Sequence, residues 1–133
     1  MVKFAHLADV HLGAFREAEL RAFNLKAFEI AVDESLRANV DFIVIAGDLF
    51  HTSLPEMSIV DAAVKKLKEA RDAGKRVYVV FGSHDYSPTE TSIINVLESA
   101  GVIRKIAAGE YGEDGRLRLQ AFKDEETGCT LVG

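Results

Sequence analysis

The sequence is poor in cysteine, in long apolar runs and in positive charge, and each shortage excludes a class of protein. Its single cysteine, Cys129, has no partner for an internal disulfide and no CxxC motif, so we predict a small core residue there. No run of about 18 apolar residues occurs, and polar side chains interrupt the apolar start of the chain. We therefore expect neither a membrane span nor a signal peptide, and by default a cytoplasmic location.

The charge balance is acidic, with 16 Lys and Arg against 21 Asp and Glu and a formal net charge of -5. Proteins that hold nucleic acid through charge alone cluster Lys and Arg on one surface. Any nucleic-acid chemistry in this chain must therefore draw positive charge from elsewhere. Bound divalent cations are one such source, because they are often the largest local charges in a site.

Short apolar runs alternate with longer helical stretches up to Ala100, which is typical of an α/β domain around a mostly parallel sheet. Strands are predicted at residues 2–8, 42–46, 77–81 and 102–107, of which the second and third are continuously apolar and therefore central. Helices are predicted at residues 17–38 and 56–73, and from a capping box at residues 87–90 to residue 100. The first helix carries two apolar stripes, so we expect it to be well buried; the stripes are Phe23, Ala27, Ala31 and Phe28, Val32, Leu36.

Beyond residue 108 the character of the sequence changes to glycines among acidic residues, which indicates turns and antiparallel strands. Residues 116–121 alternate, with Leu117, Leu119 and Ala121 on one face. Residues 129–133 resemble a strand with no following partner. We therefore expect residues 1–133 to be an incomplete domain that continues beyond Gly133.

Polar clusters follow the first three predicted strands: Asp9-Val10-His11, Gly47-Asp48 and Gly82-Ser83-His84-Asp85. Open α/β sheets place their sites outside the carboxyl ends of the strands, so the three clusters should meet at one edge. Any one of them alone is more often a turn or a helix cap than a site. Three at successive strand ends are much harder to explain in that way.

The residue types in these clusters suit a divalent-metal site. Asp9 and His11 lie two residues apart, on the same side of an extended backbone, and suit two ligands of one ion. Asp48 has two carboxylate oxygens that can bridge two ions about 4 Å apart, beside a glycine that lets a ligand approach the backbone. Asp85 is placed to hold the tautomer of His84, whose other nitrogen then acts on a phosphate or leaving group.

These clusters, in this order and at these strand ends, resemble the first three motifs of the calcineurin-like metallophosphoesterases. More narrowly, residues 4–13 (FAHLADVHLG) and 45–51 (IAGDLFH) are similar to the SbcD-type nucleases of DNA double-strand-break repair. The resemblance implies the amino-terminal part of a four-layer αββα sandwich, two Mn2+ ions and hydrolysis of DNA phosphodiesters by a metal-activated water. It also implies an SMC-like ABC-type ATPase as partner.

The resemblance implies a role for each matching residue. Asp9 and His11 would bind the first ion and Asp48 would bridge both. His84 would stabilise the transition state or protonate the leaving oxygen, with Asp85 orienting it. His51 matches a family histidine near the scissile strand. Without the family resemblance, His51 is equally well interpreted as an ordinary loop histidine.

The sequence departs from the family pattern in two respects. Ser83 stands where the family has an Asn that binds the second ion through its carbonyl oxygen, and a hydroxyl is a weaker ligand for a hard cation. The later histidine motifs of the family, which complete both metal shells, are missing from these residues.

Three functions remain open from the sequence. The first is a Mn2+-dependent nuclease acting on DNA ends, duplex or single strands. The second is a phosphodiesterase or phosphatase of the same superfamily acting on a small ester, and the third is a non-catalytic scaffold that binds DNA ends. The sequence does not decide between exonuclease and endonuclease activity, and it does not identify the physiological metal. A homodimer is common in that family, but the sequence does not decide whether one forms.

Overall fold

The computed structural model describes residues 1–85, 92–106 and 109–133, and within them the chain folds as an α/β structure. The parallel sheet and its helices are β1 (Phe4–Ala8), α1 (Ala18–Arg37), β2 (Phe42–Ala46), α2 (Met57–Asp72), β3 (Arg76–Val80), α3 (Ile93–Ser99) and β4 (Arg104–Lys105). Two hairpins follow, made by β5 (Glu110–Tyr111) with β6 (Leu117–Arg118) and by β7 (Ala121–Lys123) with β8 (Thr130–Val132). The predicted α/β class is confirmed.

The main sheet has the order β1-β2-β3-β4, and all its described pairings are parallel. The prediction that the second and third strands are central is confirmed. Alternate residues of these strands enter two separate cores, because side chains on a strand point to opposite faces. Ile43, Ile45, Val77 and Val79 pack with the helices, whereas Phe42 and Tyr78 pack with the β7–β8 hairpin.

Helix α1 contradicts part of the prediction from its apolar pattern. Its inward stripe contains Phe28 and Val32, as expected, but Phe23 is 70% exposed. The stripe of Phe23, Ala27 and Ala31 therefore lies mostly on the outer side, because the helix touches the core on one side only. No helix in the described ranges combines the length and apolar character needed to cross a membrane.

Several predicted boundaries and strands need correction. The first strand starts at Phe4, the third ends at Val80, and β4 contains two residues. The capping box at residues 87–90 lies outside the described residues; α3 is capped instead by Ser92, whose hydroxyl accepts a hydrogen bond from the amide of Asn95. The antiparallel strands predicted beyond residue 108 are confirmed by β5–β6 and β7–β8. Residues 116–121 contribute to β6 and β7, and Leu117 and Leu119 are exposed.

The strand predicted near residue 130 pairs with the strand that precedes it in the chain. Leu131 of β8 lies opposite Phe122 of β7, and both side chains pack against the core that contains Tyr78. Cys129 is half-buried beside them, consistent with its predicted packing role.

A buried carboxylate fastens this hairpin to the parallel sheet. Asp124 is fully buried and accepts hydrogen bonds from Arg76 Nε (2.6 Å), from the Tyr78 hydroxyl and from the Thr127 amide (2.9 Å). Burial by itself would raise the pKa of Asp124, but hydrogen bonds from Thr127, Tyr78 and Arg76 outweigh it and hold the pKa well below its usual value. Burial and the hydrogen bond to Asp124 raise the pKa of Tyr78 to about 12.

We predict that Asp124→Ala lowers the free energy of unfolding by about 3 to 5 kcal/mol, because it removes the buried carboxylate that accepts hydrogen bonds from Arg76 and from the Tyr78 hydroxyl. Urea unfolding followed by circular dichroism measures the change. Glu126→Ala is the matched control: Glu126 also pairs with Arg76 but is 70% exposed, so its removal should cost about 1 kcal/mol or less. If both variants lost the same free energy of unfolding, the buried carboxylate of Asp124 would not be what fastens the hairpin to the sheet.

Candidate metal centre

The parallel register brings the three polar clusters to one level. Ala8, the last residue of β1, is paired with Ala46, the last residue of β2, and Ala46 is paired with Val80, the last residue of β3. The loops after these strands therefore leave the sheet side by side. The predicted meeting of the clusters at one sheet edge is what the structure shows.

The first two loops remain bonded to one another beyond the strands. The amide of His11 donates to the carbonyl of Asp48 (2.8 Å), and the amide of Leu12 donates to that of Leu49 (3.0 Å). The amide of His51 in turn donates to the carbonyl of Leu12 (3.0 Å). These bonds fix His11 and His51 on neighbouring segments, so their rings face the same space.

Three of the predicted ligands adopt left-handed backbone conformations. The φ angles of Asp9, His11 and Asp48 are 51°, 47° and 49°, in a region that non-glycine residues rarely occupy. Asp9 and His11 do lie close together, but the backbone that carries them is not extended. The reason that we gave for their closeness is therefore wrong. Such conformations cost about 1 to 3 kcal/mol each and persist only where the surroundings enforce them, commonly at functional sites.

The ligand atoms of Asp9, His11 and Asp48 all lie within 4.8 Å of one another. His11 Nε2 is 3.8 Å from Asp9 Oδ1 and 3.7 Å from Asp48 Oδ2. Among the described residues, no Lys or Arg forms an ion pair with either carboxylate. Two neighbouring carboxylates and an imidazole without a cationic side chain fit a divalent cation. We refer to this set as the carboxylate position.

The third loop contacts the same carboxylate. The amide of His84 donates to Asp48 Oδ1 (2.8 Å), and Ser83 Oγ lies 3.5 Å from Asp48 Oδ2. Asp48 is therefore shared between the ligands of the first loop and Ser83 of the third.

Two glycines make room for Asp48. A Cβ on Gly82 would lie 2.2 Å from Asp48 Oδ1, and a Cβ on Gly47 would lie 3.1 Å from the Cα of Gly82. Gly47 also has a φ of 77°. The sequence suggested that Gly47 lets a ligand approach the backbone, whereas in the structure it lets the second and third loops approach each other.

The structure places Asp85 differently from the prediction. Its buried carboxylate accepts hydrogen bonds from the amides of Asp48 and Gly82, both at 2.9 Å. The His84 ring is held instead by the carbonyl of His51, 2.7 Å from His84 Nδ1. Asp85 therefore orders the loop that carries the ligands rather than the tautomer of His84. Burial raises the pKa of Asp85, against the opposing effect of these amide hydrogen bonds.

A cavity of about 440 Å³ opens beside the predicted ligands. The residues that line it are Asp9, Val10, His11, Ala14, Phe15, Asn24, His51 and His84. Its size is within the range of small-ligand sites. His51 and His84 thus lie at the wall of the space that a substrate would enter.

Asn24 is a residue of this site that the sequence did not suggest. It projects from α1, and its Nδ2 donates to the carbonyl of Val10 (3.0 Å), between Asp9 and His11. Its Oδ1 is buried and has no hydrogen-bond partner in the described part of the chain. An Asn among the polar residues of an amphipathic helix carries no distinguishing signal, so only the contact identifies it.

Comparison with known families agrees with this geometry. The profile of the family described as calcineurin-like phosphoesterase matches residues 2–127. The chain belongs to that family. The family implies divalent metal ions, and the carboxylate position supplies residues suited to bind them.

Curated relatives of this phosphoesterase chain include archaeal proteins named DNA double-strand break repair protein Mre11. The one from Archaeoglobus fulgidus is 39% identical over 77% of this chain and 24% of its own length. The one from Methanopyrus kandleri is 33% identical over 82% of this chain and 25% of its own length. A metallophosphoesterase of Bacillus subtilis, YhaO, is 28% identical over 85% of this chain and 31% of its own length. The chain thus spans about a quarter to a third of these relatives.

We predict that Gly82→Ala lowers the affinity for divalent ions at least about 10-fold. Its Cβ would lie 2.2 Å from Asp48 Oδ1 and 2.3 Å from the backbone nitrogen of Asp48, so both the carboxylate and the loop that carries it would be displaced. Titration with Mn2+, followed by the electron paramagnetic resonance of the free ion, measures this affinity. Gly101→Ala serves as control, since its Cβ would meet no atom within 4 Å but its φ is 67°. The control should lose stability and keep its Mn2+ affinity. Unchanged Mn2+ binding in Gly82→Ala would show that the carboxylate does not need this space.

Proposed function

We propose that this chain carries part of the active site of a metal-dependent DNA nuclease that acts in double-strand-break repair. The observation that carries the proposal is the convergence of Asp9, His11 and Asp48, from two different loops, within 4.8 Å. Its support from relatives is the similarity to proteins named for double-strand break repair. The acidic net charge agrees with a site in which metal ions supply the attraction for phosphate.

The proposed metal is Mn2+, with two ions in the complete domain. Asp9 and His11 would hold the first ion, Asp48 would contact both, and Ser83 would contribute to the second. A bound divalent ion supplies Lewis-acid polarisation of a phosphate oxygen and lowers the pKa of water. Mixed oxygen and nitrogen ligands suit Mn2+, and the hydroxyl of Ser83 makes the second position the weaker one.

His84 is the residue that we assign to proton transfer and charge stabilisation. A carbonyl oxygen only accepts, so the contact of His84 Nδ1 with the carbonyl of His51 places a proton on Nδ1. Nε2 is then the atom that faces an oxygen of the phosphodiester, and it can donate a hydrogen bond or a proton to that oxygen when both ring nitrogens are protonated. His51 both holds this ring and lines the cavity. Asp85 contributes by fixing the loop.

The remaining parts of the proposal concern the whole protein. DNA ends, duplex or single-stranded, are the proposed substrate, and an SMC-like ABC-type ATPase is the proposed partner. Residues 1–133 are proposed to be an incomplete nuclease domain, whose other ligands lie beyond Gly133. The span of about a quarter of the Mre11 relatives supports this. The homodimer and the cytoplasmic location stay predictions.

We expect the natural full-length chain to degrade end-labelled linear duplex DNA with Mn2+, and Asp48→Ala to abolish cleavage because it removes the carboxylate shared by both ion positions. Gel analysis of the labelled DNA measures both. Asp61→Ala, an exposed carboxylate on α2, is the control and should cleave normally. Persistent Mn2+-dependent cleavage by Asp48→Ala would refute the two-ion assignment. Binding of DNA ends without cleavage by the unaltered protein would indicate the scaffold function instead.

We expect His84→Gln to slow cleavage by about 100- to 10,000-fold, because it removes a group that transfers a proton or stabilises charge. Its Mn2+ affinity should not change, since His84 contributes only its amide to Asp48. Single-turnover rates at saturating Mn2+ separate the two effects. An unchanged rate would remove His84 from the mechanism.

A small phosphodiester is the second candidate substrate, and the cavity of about 440 Å³ is the observation that favours it. The same carboxylate position would serve either substrate. Hydrolysis of a chromogenic phosphodiester, together with intact duplex DNA under the same conditions, would reverse the ranking.

A further inference from the structure

We propose an additional metal position, formed by the imidazoles of His11, His51 and His84. It binds Zn2+, and its occupation prevents an ion from binding at the carboxylate position. We call it the three-histidine position. Each of the three residues offers a ring nitrogen, and these nitrogens all lie within 4.8 Å of one another. The inference concerns metal binding alone and does not depend on the nuclease function.

The spacing of the nitrogens suits a tetrahedral ion. His11 Nδ1 lies 3.5 Å from His51 Nδ1, a separation at the limit of a hydrogen bond. Two nitrogens bound to one tetrahedral Zn2+ at about 2.0 to 2.1 Å are about 3.3 Å apart. The ring centroids are 5.0 Å apart for His11 and His84 and 5.1 Å apart for His51 and His84. Small rotations of the rings therefore complete a three-nitrogen set with a fourth position open to the cavity.

His84 already has the hydrogen bond that ligating histidines use. Its Nδ1 donates to the carbonyl of His51 at 2.7 Å, which leaves Nε2 unprotonated in the neutral ring. A histidine that binds a metal almost always donates its other ring N–H to a carbonyl, a carboxylate or water. The orientation of His84 is thus fixed before any ion arrives.

His11 connects the two metal positions through its two ring nitrogens. Nε2 faces the carboxylates of Asp9 and Asp48, whereas Nδ1 faces His51. A neutral imidazole has one unprotonated nitrogen, so it can bind an ion on only one side at a time. An ion at the three-histidine position therefore takes His11 away from the carboxylate position.

The two positions differ in the ions they prefer. Three imidazoles without a carboxylate favour Zn2+, Cu2+ or Ni2+, while a set with two carboxylates and one imidazole suits Mn2+. Nitrogen ligands bind Zn2+ more strongly than Mn2+, because Mn2+ is the weakest binder in the stability order of the first transition series. Mn2+ therefore binds at the carboxylate position and Zn2+ at the three-histidine position. The two ions compete because both positions need His11.

The test measures each ion separately on the natural full-length chain. Zn2+ affinity is obtained by competition with a chromophoric chelator, and Mn2+ affinity from the paramagnetic resonance of the free ion. We expect His51→Gln and His84→Gln each to weaken Zn2+ at least about 10-fold and to leave Mn2+ binding unchanged. Asp9→Asn should do the opposite, since Asp9 belongs to the carboxylate position alone.

His6→Gln is the matched control, because His6 is an exposed histidine on β1 that belongs to neither position. It should leave both affinities unchanged. Adding Zn2+ to the Mn2+-loaded protein should release Mn2+, and His51→Gln should require at least about 10-fold more Zn2+ for the same release. Co2+ in place of Zn2+ should give the strong visible absorption of a tetrahedral ion.

Three results would overturn the proposal. The first is equal Zn2+ affinity in the unaltered protein, His51→Gln and His84→Gln. The second is a parallel loss of Zn2+ and Mn2+ binding in Asp9→Asn, which would place Zn2+ among the carboxylates. The third is a weak Co2+ absorption typical of an octahedral ion. Circular dichroism of each variant shows that the comparison is made between folded proteins.

Discussion

The candidate site depends on one constraint: three neighbouring parallel strands, paired in register, end at the same level of the sheet. Ala8, Ala46 and Val80 end their strands at the same level of the sheet. The polar residues that follow them must therefore share one edge, although they are tens of residues apart in the sequence. Slippage of one strand by a single residue would reverse the faces of its side chains as well as the height of its loop.

Close packing between the second and third loops then sets the detailed position of Asp48. Gly82 leaves space for its carboxylate, His84 donates an amide hydrogen bond to it, and Asp85 binds the amide of Asp48 itself. These contacts offset the cost of a left-handed backbone at a non-glycine residue. A ligand held by so many contacts requires little rearrangement when it binds an ion, which favours metal affinity.

The two faces of the main sheet are covered by different elements. Helices cover one face with an apolar core, and the β7–β8 hairpin covers part of the other through Phe122 and Leu131. Asp124 joins the hairpin to Arg76 and Tyr78 of β3. Because β3 also leads into the loop that carries Ser83 and His84, the hairpin supports the strand from which this third loop extends.

The sequence by itself determined the α/β alternation, the central strands and the three polar clusters, because apolar runs and helical periodicity are local signals. It did not determine which apolar stripe of α1 faces inward, and Phe23 proved to be exposed. The tertiary structure alone decided that Asn24 binds the Val10 carbonyl, that Asp85 serves the loop rather than His84, and that Asp124 holds the hairpin. Each of these is a hydrogen bond between residues 14 to 48 positions apart. Such a bond depends on how elements pack, and no local pattern encodes that.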